Sequence, residues 1–245
     1  MSHSHFPPAQ DEDAWIMKQS WQHVLFLHWP VPVSSIRERV PRPLTIDTFK
    51  GQAWLGVVAF RMTGIRLRGC PVPYPFSFPE VNVRTYVSHQ QGPGVYFITL
   101  DASDPIVLNI AKWWYKLPYY RAKMQLKHKD GFLKLSSRRV TSESPSFAAH
   151  YRPLSAPYQA EKGTLEHWLT ERYRFYCIAK PYVKIYCGQV FHPPWPLQSV
   201  ELAQLANTLT DALGIHKPDE PVLLHYSRGV NARFSALHTY PAVFV

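Results

Sequence analysis

Three short stretches of the 245-residue chain carry side chains whose types and spacing could do chemistry. In FPEVNVRTY, the alternation of a β-strand sets Glu80, Asn82, Arg84 and Tyr86 on one face and Val81, Val83 and Thr85 on the other. That polar row offers a base, hydrogen-bond donors and a partner for an anion. Turned inward it lines a pocket; turned outward it is an ordinary solvated face, and the residues alone favour the outward direction. FHPPWPLQ holds His192 and Trp195 among prolines that fix the backbone, so His192 is a candidate for ligand binding as well as for a structural hydrogen bond. In LLHYSRGV, His225 and Ser227 share a strand face beside Arg228, but no nearby acid completes a triad and serine nucleophilic chemistry has little support.

The stretch AKWWYKLPYYRAKM alternates Lys112, Lys116, Arg121 and Lys123 with Trp113, Trp114, Tyr115, Tyr119 and Tyr120. It reads in two ways. One is a basic, aromatic surface over residues 112–129 that binds nucleic acid or another anionic surface; the other is the wall of a pocket. Lys116 falls at a helix end, where a long amine is expected to be solvated, and the aromatic residues are expected in the core and cavity wall. No glycine-rich phosphate loop, dinucleotide fingerprint, H-E-x-x-H or Cys/His cluster occurs, so no metal, nucleotide or flavin cofactor is expected.

The elements that must position these residues are read from the same text. The chain is 46% hydrophobic and 18% charged, which suits a folded core, and we expect a polar tail over 1–14 followed by a single domain over 15–245. The net charge of +10 is dispersed instead of gathered into a basic arm, so a small molecule is the expected partner and nucleic acid is not. Three cysteines without a C-x-x-C pair, no signal-peptide pattern and no run of roughly 18 apolar residues lead us to expect a soluble cytoplasmic protein that does not insert in a membrane. Short apolar or alternating runs divided by Gly and Pro predict strands in HVLFLHWPV, AWLGVVAFRMTGIRLRG, EVNVRTYVSH, GVYFITLD, YYRAKMQLKHK, GFLKLSSRRV and SFAAHYRP. Helices are predicted in VSSIRERV with Ser34 or Ser35 as N-cap, SDPIVLNIAKWWYK with Ser103 or Asp104 as N-cap, TLEHWLTERY behind Thr164, and SVELAQLANTLTDALG ending at Gly214. The class is mainly β with flanking helices, an α+β arrangement whose curved antiparallel sheet encloses a cavity.

Taken together, IRERVPRPLTIDTFKGQAWLGVVAFRM, FPEVNVRTYV, LPYYRAKM, GTLEHWLTERY, PWPLQ and LLHYSRGV resemble the uncharacterised conserved proteins of the YqjF-like family, from about residue 20 to near the carboxyl terminus. That family is similar to acetoacetate decarboxylase, and the resemblance implies a cone-shaped antiparallel β-barrel with an internal cavity. Acetoacetate decarboxylases form an imine between a β-keto acid and the first lysine of a Pro-Lys-Lys motif. Here Pro118 matches the proline, and Tyr119 and Tyr120 stand where the lysines belong. Gln22 falls near the family's active-site arginine, Leu55 near one of its two glutamates, and Glu80 on the other.

The expectation is a small-molecule pocket that does not work through an imine. Glu80 and Tyr119 are its candidate catalytic residues, with Glu80 as base and the Tyr119 phenol as hydrogen-bond donor or general acid. Gln22, Arg84, Tyr86, Tyr120, His192 and His225 are its candidate ligand-binding residues, with Arg84 as the partner of a carboxylate. The pocket would serve either an enzyme of changed acid-base chemistry or a binding protein for a small organic acid or carbonyl compound.

Overall fold

The computed structural model describes residues 15–179 and 184–242, with the side chains of 110–114 and 179 left aside; the expected tail over 1–14 lies outside them. Its strands are β1 (Met17–Val31), β2 (Thr45–Ile46), β3 (Ala53–Leu67), β4 (Phe78–His89), β5 (Gly92–Ala102), β6 (Tyr119–Lys129), β7 (Phe132–Arg139), β8 (Ser146–Pro153), β9 (Arg174–Ala179), β10 (Lys184–Phe191), β11 (Leu197–Gln198), β12 (Val200–Asn207), β13 (Leu223–Phe234) and β14 (His238–Pro241). Its helices are α1 (Val33–Arg37), α2 (Pro105–Tyr115) and α3 (Leu165–Thr170). None of the described helices is long and apolar enough to cross a membrane.

β1 and β3 are near-continuous apolar runs because both of their faces are buried. Val24 and Phe26 of β1, with Val58, Phe60 and Met62 of β3, face one core, while Leu25, Leu27, Leu55, Val57 and Ala59 face another. The first core lies inside a ring. β4 pairs with β3 on one edge and β5 on the other, and β5 continues through β9, β10, β13 and β1 back to β3, so seven strands close on themselves among the described residues. The second core lies outside the ring, where β7 and β8 of the antiparallel extension β6-β7-β8-β12 bring Leu133, Leu135, Phe147, Ala149 and Tyr151 against it. Each fully buried apolar side chain of this kind contributes ~1.5–3 kcal/mol.

Local signals set most of the remaining boundaries. Asp104 caps α2, its Oδ1 accepting from the backbone N–H groups of Ile106 at 2.9 Å and Val107 at 3.1 Å. Thr164 caps α3 by accepting from the N–H of His167 at 3.3 Å, but the helix ends at Thr170, short of the predicted span. α1 begins at Val33 with Pro32 in the cap position, so Ser34 and Ser35 lie within its first turn and do not cap it.

One predicted helix is a strand. Residues 200–207 form β12 along the edge of β8, and only Asp211–Leu213 turns as a 3-10 helix before Gly214, whose φ of 64° ends it. A bulge between Leu202 and Gln204 inserts one residue, so Val200, Leu202 and Leu205 share the core-facing side of a strand at a spacing that reads as helical.

The joint between ring and extension is held by a buried ion pair. Arg139 of β7 donates to Asp101 Oδ1 of β5 through Nη2 at 2.6 Å and Nε at 3.0 Å, and neither residue exceeds 7% exposure. Removing the carboxylate leaves the guanidinium buried without its counter-charge, so Asp101→Ala is expected to lower stability by about 3–5 kcal/mol in a urea titration. A loss below about 1 kcal/mol, the value of an exposed pair, would contradict this role.

Candidate functional site

The ring surrounds a cavity of about 280 Å³ walled mainly by apolar side chains, including Val24, Phe26, Val58, Phe60, Met62 and Leu100. Into this wall β4 turns the polar face of its alternation. Glu80, Asn82 and Arg84 all line the cavity, so this face points inward and not, as the residues alone favoured, to solvent. Tyr119 is brought opposite by β5: Leu100 pairs with Tyr119 in parallel register, and the Leu100 N–H donates to the Pro118 carbonyl at 3.1 Å. The Tyr119 hydroxyl donates to Glu80 Oε2 at 2.8 Å.

Both groups are withdrawn from water, Glu80 at 2% and Tyr119 at 8% exposure. Burial pushes the Glu80 carboxyl up to about 7; hydrogen bonds from Tyr119 and Asn82 pull it down and the neighbouring Asp101 pushes it further up. Burial and the adjacent carboxylate hold the Tyr119 phenol well above its ordinary range. At neutral pH the pair therefore supplies a carboxyl present in both protonation states and a phenol that keeps its proton.

The other candidates divide. Arg84 is on the wall, donating to the Leu169 carbonyl at 3.3 Å. His192 is also on the wall, its ring 4.7 Å from that of Tyr173 and its Nδ1 2.8 Å from the Pro193 carbonyl; burial lowers its pKa. Tyr86 is buried behind the wall and its hydroxyl donates to Leu169 O. His225 is also behind it, with Nε2 3.1 Å from Glu166. Tyr120 faces outward under the Arg139 guanidinium, 3.8 Å from the ring centre. Gln22 is exposed, because a bulge between Gln22 and Leu25, with His23 at a φ of 52°, turns it away, and Gln19 and Trp21 take the wall positions of β1. Leu55 faces the core outside the ring.

Lys116 is exposed at the end of α2, and no lysine lines the cavity among the described residues. The side chains of Lys112, Trp113 and Trp114 lie outside the described residues. Sequence reasoning missed Arg172 and Arg174, which line the cavity on the approach to β9. The alternation in RYRF carried the signal, but TLEHWLTERY as one helix covered Arg172.

The buried carboxyl sets a sign for pH dependence. Its folded value of about 7 lies above the ordinary 4.5, so folding favours the protonated form. Stability is full below about 4.5 and is lost as pH rises through about 7. Glu80→Gln is therefore expected to be more stable than wild type above that point, by on the order of 3 kcal/mol, with the difference closing toward acid pH. Denaturant titrations across pH check this, and a difference that does not vary with pH would contradict it.

Comparison with known proteins places this geometry. Residues 18–231 match the DUF2071 family, an uncharacterized conserved protein. The uncharacterized protein YqjF of Bacillus subtilis (strain 168) is 42% identical over 227 residues, 92% of this chain and 93% of its own. Among solved structures, the enduracididine biosynthesis enzyme MppR, complexed with the condensation product of pyruvate and imidazole 4-carboxaldehyde, aligns over 96% of this chain and 91% of its own, with a TM-score of 0.63 at 11% identity. An acetoacetate decarboxylase-like enzyme from Sphingomonas wittichii RW1 aligns over 99% and 100%, with a TM-score of 0.62 at 11% identity. The acetoacetate decarboxylase of Legionella pneumophila aligns over 98% and 92%, with a TM-score of 0.61 at 10% identity. At such identities the structures share a fold alone. The chain belongs to the YqjF-like DUF2071 family of uncharacterized conserved proteins, and its fold is that of the acetoacetate decarboxylase-like proteins.

Proposed function

We propose that the cavity binds a small organic acid or carbonyl compound and that Glu80 and Tyr119 act on it by proton transfer and hydrogen bonding, without an imine. The observation that carries this is the 2.8 Å bond from the Tyr119 hydroxyl to the Glu80 carboxylate inside the cavity. In the motif match to acetoacetate decarboxylases, Tyr119 falls where the imine-forming lysine is expected. A phenol cannot form an imine, but it can donate to a carbonyl oxygen. In this reading the Tyr119 O–H turns from Glu80 to a substrate carbonyl, which accepts it; the Glu80 carboxylate, so released, takes a proton from the adjacent carbon, and the electron pair of that C–H bond moves into the enolate. Return of the proton to carbon or oxygen closes the cycle with atoms balanced. The apolar wall keeps water from competing for both groups. The pyruvate-derived ligand named for MppR supports the substrate class by analogy of fold.

Exchange of carbon-bound protons for deuterium in ketone and keto-acid probes, followed by NMR, tests this. Wild type is expected to catalyse exchange at a rate that rises with pH through about 7. Glu80→Gln is expected to lose about 10²–10⁴-fold, and Tyr119→Phe to weaken the reaction while remaining folded. A covalent lysine adduct after borohydride treatment with acetoacetate would sink the non-imine reading.

A second reading has its own observation. On the outer face of β6 and β7, Lys123 pairs directly with Arg138 and Lys127 with Lys134, like charges opposed across the strands. A nucleic acid or other polyanion would neutralise them, and its binding would fall steeply with salt. No binding to duplex or single-stranded DNA or RNA at low salt removes this alternative.

A further inference from the structure

Five buried polar atoms have no hydrogen-bond partner among the described residues and gather at the Arg84 end of the ring. They are Nε of Arg84, Nη2 of Arg172, both ring nitrogens of His28 and Nδ1 of His225. Strand register puts His28 beside Arg84, since His28 pairs with Gly56 and Gly56 with Arg84; the two histidines lie behind the wall, and of the five only the arginine atoms belong to residues that line the cavity. A Cβ on Gly56 would meet His28 Cδ2 at 3.3 Å and Arg84 Cγ at 3.4 Å. The guanidiniums of Arg84 and Arg172 both lie over the ring of Tyr86, at 5.8 and 4.9 Å from its centre, and both residues line the cavity. Arg172 is 6% exposed and donates to Asp47 Oδ2 at 2.8 Å. Arg84 has no acid partner among the described residues, and its side chain donates to a backbone carbonyl.

Two cations on one low-polarity wall with one carboxylate between them repel each other, and their unused N–H groups are desolvated without compensation. An oxyanion held against the cavity faces of the two arginines relieves the repulsion, and a planar carboxylate matches the fork of a guanidinium. Glu80 and Arg84 stand four residues apart on one strand, so their backbones are about 13 Å apart. Phe26 and Val58, at the level of Asn82, supply apolar wall between them.

We propose that Arg84 and Arg172 hold the carboxylate of the ligand while its carbonyl lies at Glu80 and Tyr119, so that the ligand is an oxo acid with several methylene groups between its two functional groups. This rests on the reading of the Glu80–Tyr119 pair given above. A β-keto acid, with one methylene between carbonyl and carboxyl carbons, is too short to reach both ends. The carboxylate is then a handle remote from the reacting carbon and is not lost in the reaction.

The test is calorimetric titration of the intact chain with unbranched methyl-ketone acids, from acetoacetate and levulinate upward, and with their methyl esters. Affinity is expected to peak at an acid longer than levulinate, and that acid to bind at least about tenfold tighter than its ester, one charge-assisted contact. Arg84→Gln is expected to reduce the acid-ester difference, with Arg172 still in place, and to melt at or above the wild-type temperature, since it removes an uncompensated cation. Tyr119→Phe, which removes the donor to the carbonyl, is expected to keep the acid preference and lose the dependence on ketone position. An optimum at acetoacetate, acids and esters binding alike, or an acid preference undiminished in Arg84→Gln would overturn the proposal while leaving the cavity reading standing. An acid preference in wild type with no dependence on ketone position would sink the Glu80–Tyr119 reading and leave only the arginine end. Failure of every acid and ester to bind overturns both, and the wild-type comparisons decide the matter even if a variant fails to fold.

Discussion

β5 has to serve three neighbours, and the rest of the site depends on how it divides its edges. One edge carries β4 along its whole length. The other is shared, with β9 pairing at Val95 and Tyr96 and β6 pairing from Leu100 to Ala102. The first pairing closes the ring and creates the cavity. The second feeds Tyr119 into the wall next to Leu100, which pairs with Asn82 on its other edge, and from there the phenol reaches Glu80 two residues along β4. The Asp101–Arg139 pair locks that switch from the outer side. Cavity, carboxyl and phenol are thus consequences of one strand being divided between two parallel partners.

A carboxyl in such a place is costly unless neutral or hydrogen-bonded. Here it is both in part: desolvation raises its pKa toward neutrality, and Tyr119 and Asn82 supply hydrogen bonds to the charged form. Arg84 does not neutralise it, because four residues of strand separate them. The cavity is therefore bipolar, with a titrating acid at one end, unspent cationic donors at the other and hydrocarbon between. Such unspent polar groups detract from the stability of the fold.

Much of this was legible in the chain. Strict alternation in FPEVNVRTY gave the polar row, and in SFAAHYRP and YYRAKMQLKHK it gave strands at their observed bounds. Pro105 behind Asp104 gave the start of α2. What failed did so where one residue breaks the period. The bulge after Gln22 reverses the parity of β1 and hands the wall to Gln19 and Trp21, and the bulge after Leu202 makes β12 look helical. Arg172 was hidden because α3 stops early, and ring closure is a long-range pairing that no local pattern records. The residues favoured an outward direction for the polar face of β4, and the inward one was missed because only the closure of the ring decides which face is inside.

The most direct measurement is the titration of the Glu80 carboxyl itself, by infrared difference spectroscopy of the protonated carboxyl stretch, with Glu80→Gln identifying the band. The account predicts a band that disappears with a midpoint near 7 and shifts in Tyr119→Phe as the hydrogen bond is lost. A Glu80 band titrating near its ordinary 4.5, or one indifferent to Tyr119→Phe, would contradict a desolvated, phenol-bonded carboxyl facing the cavity.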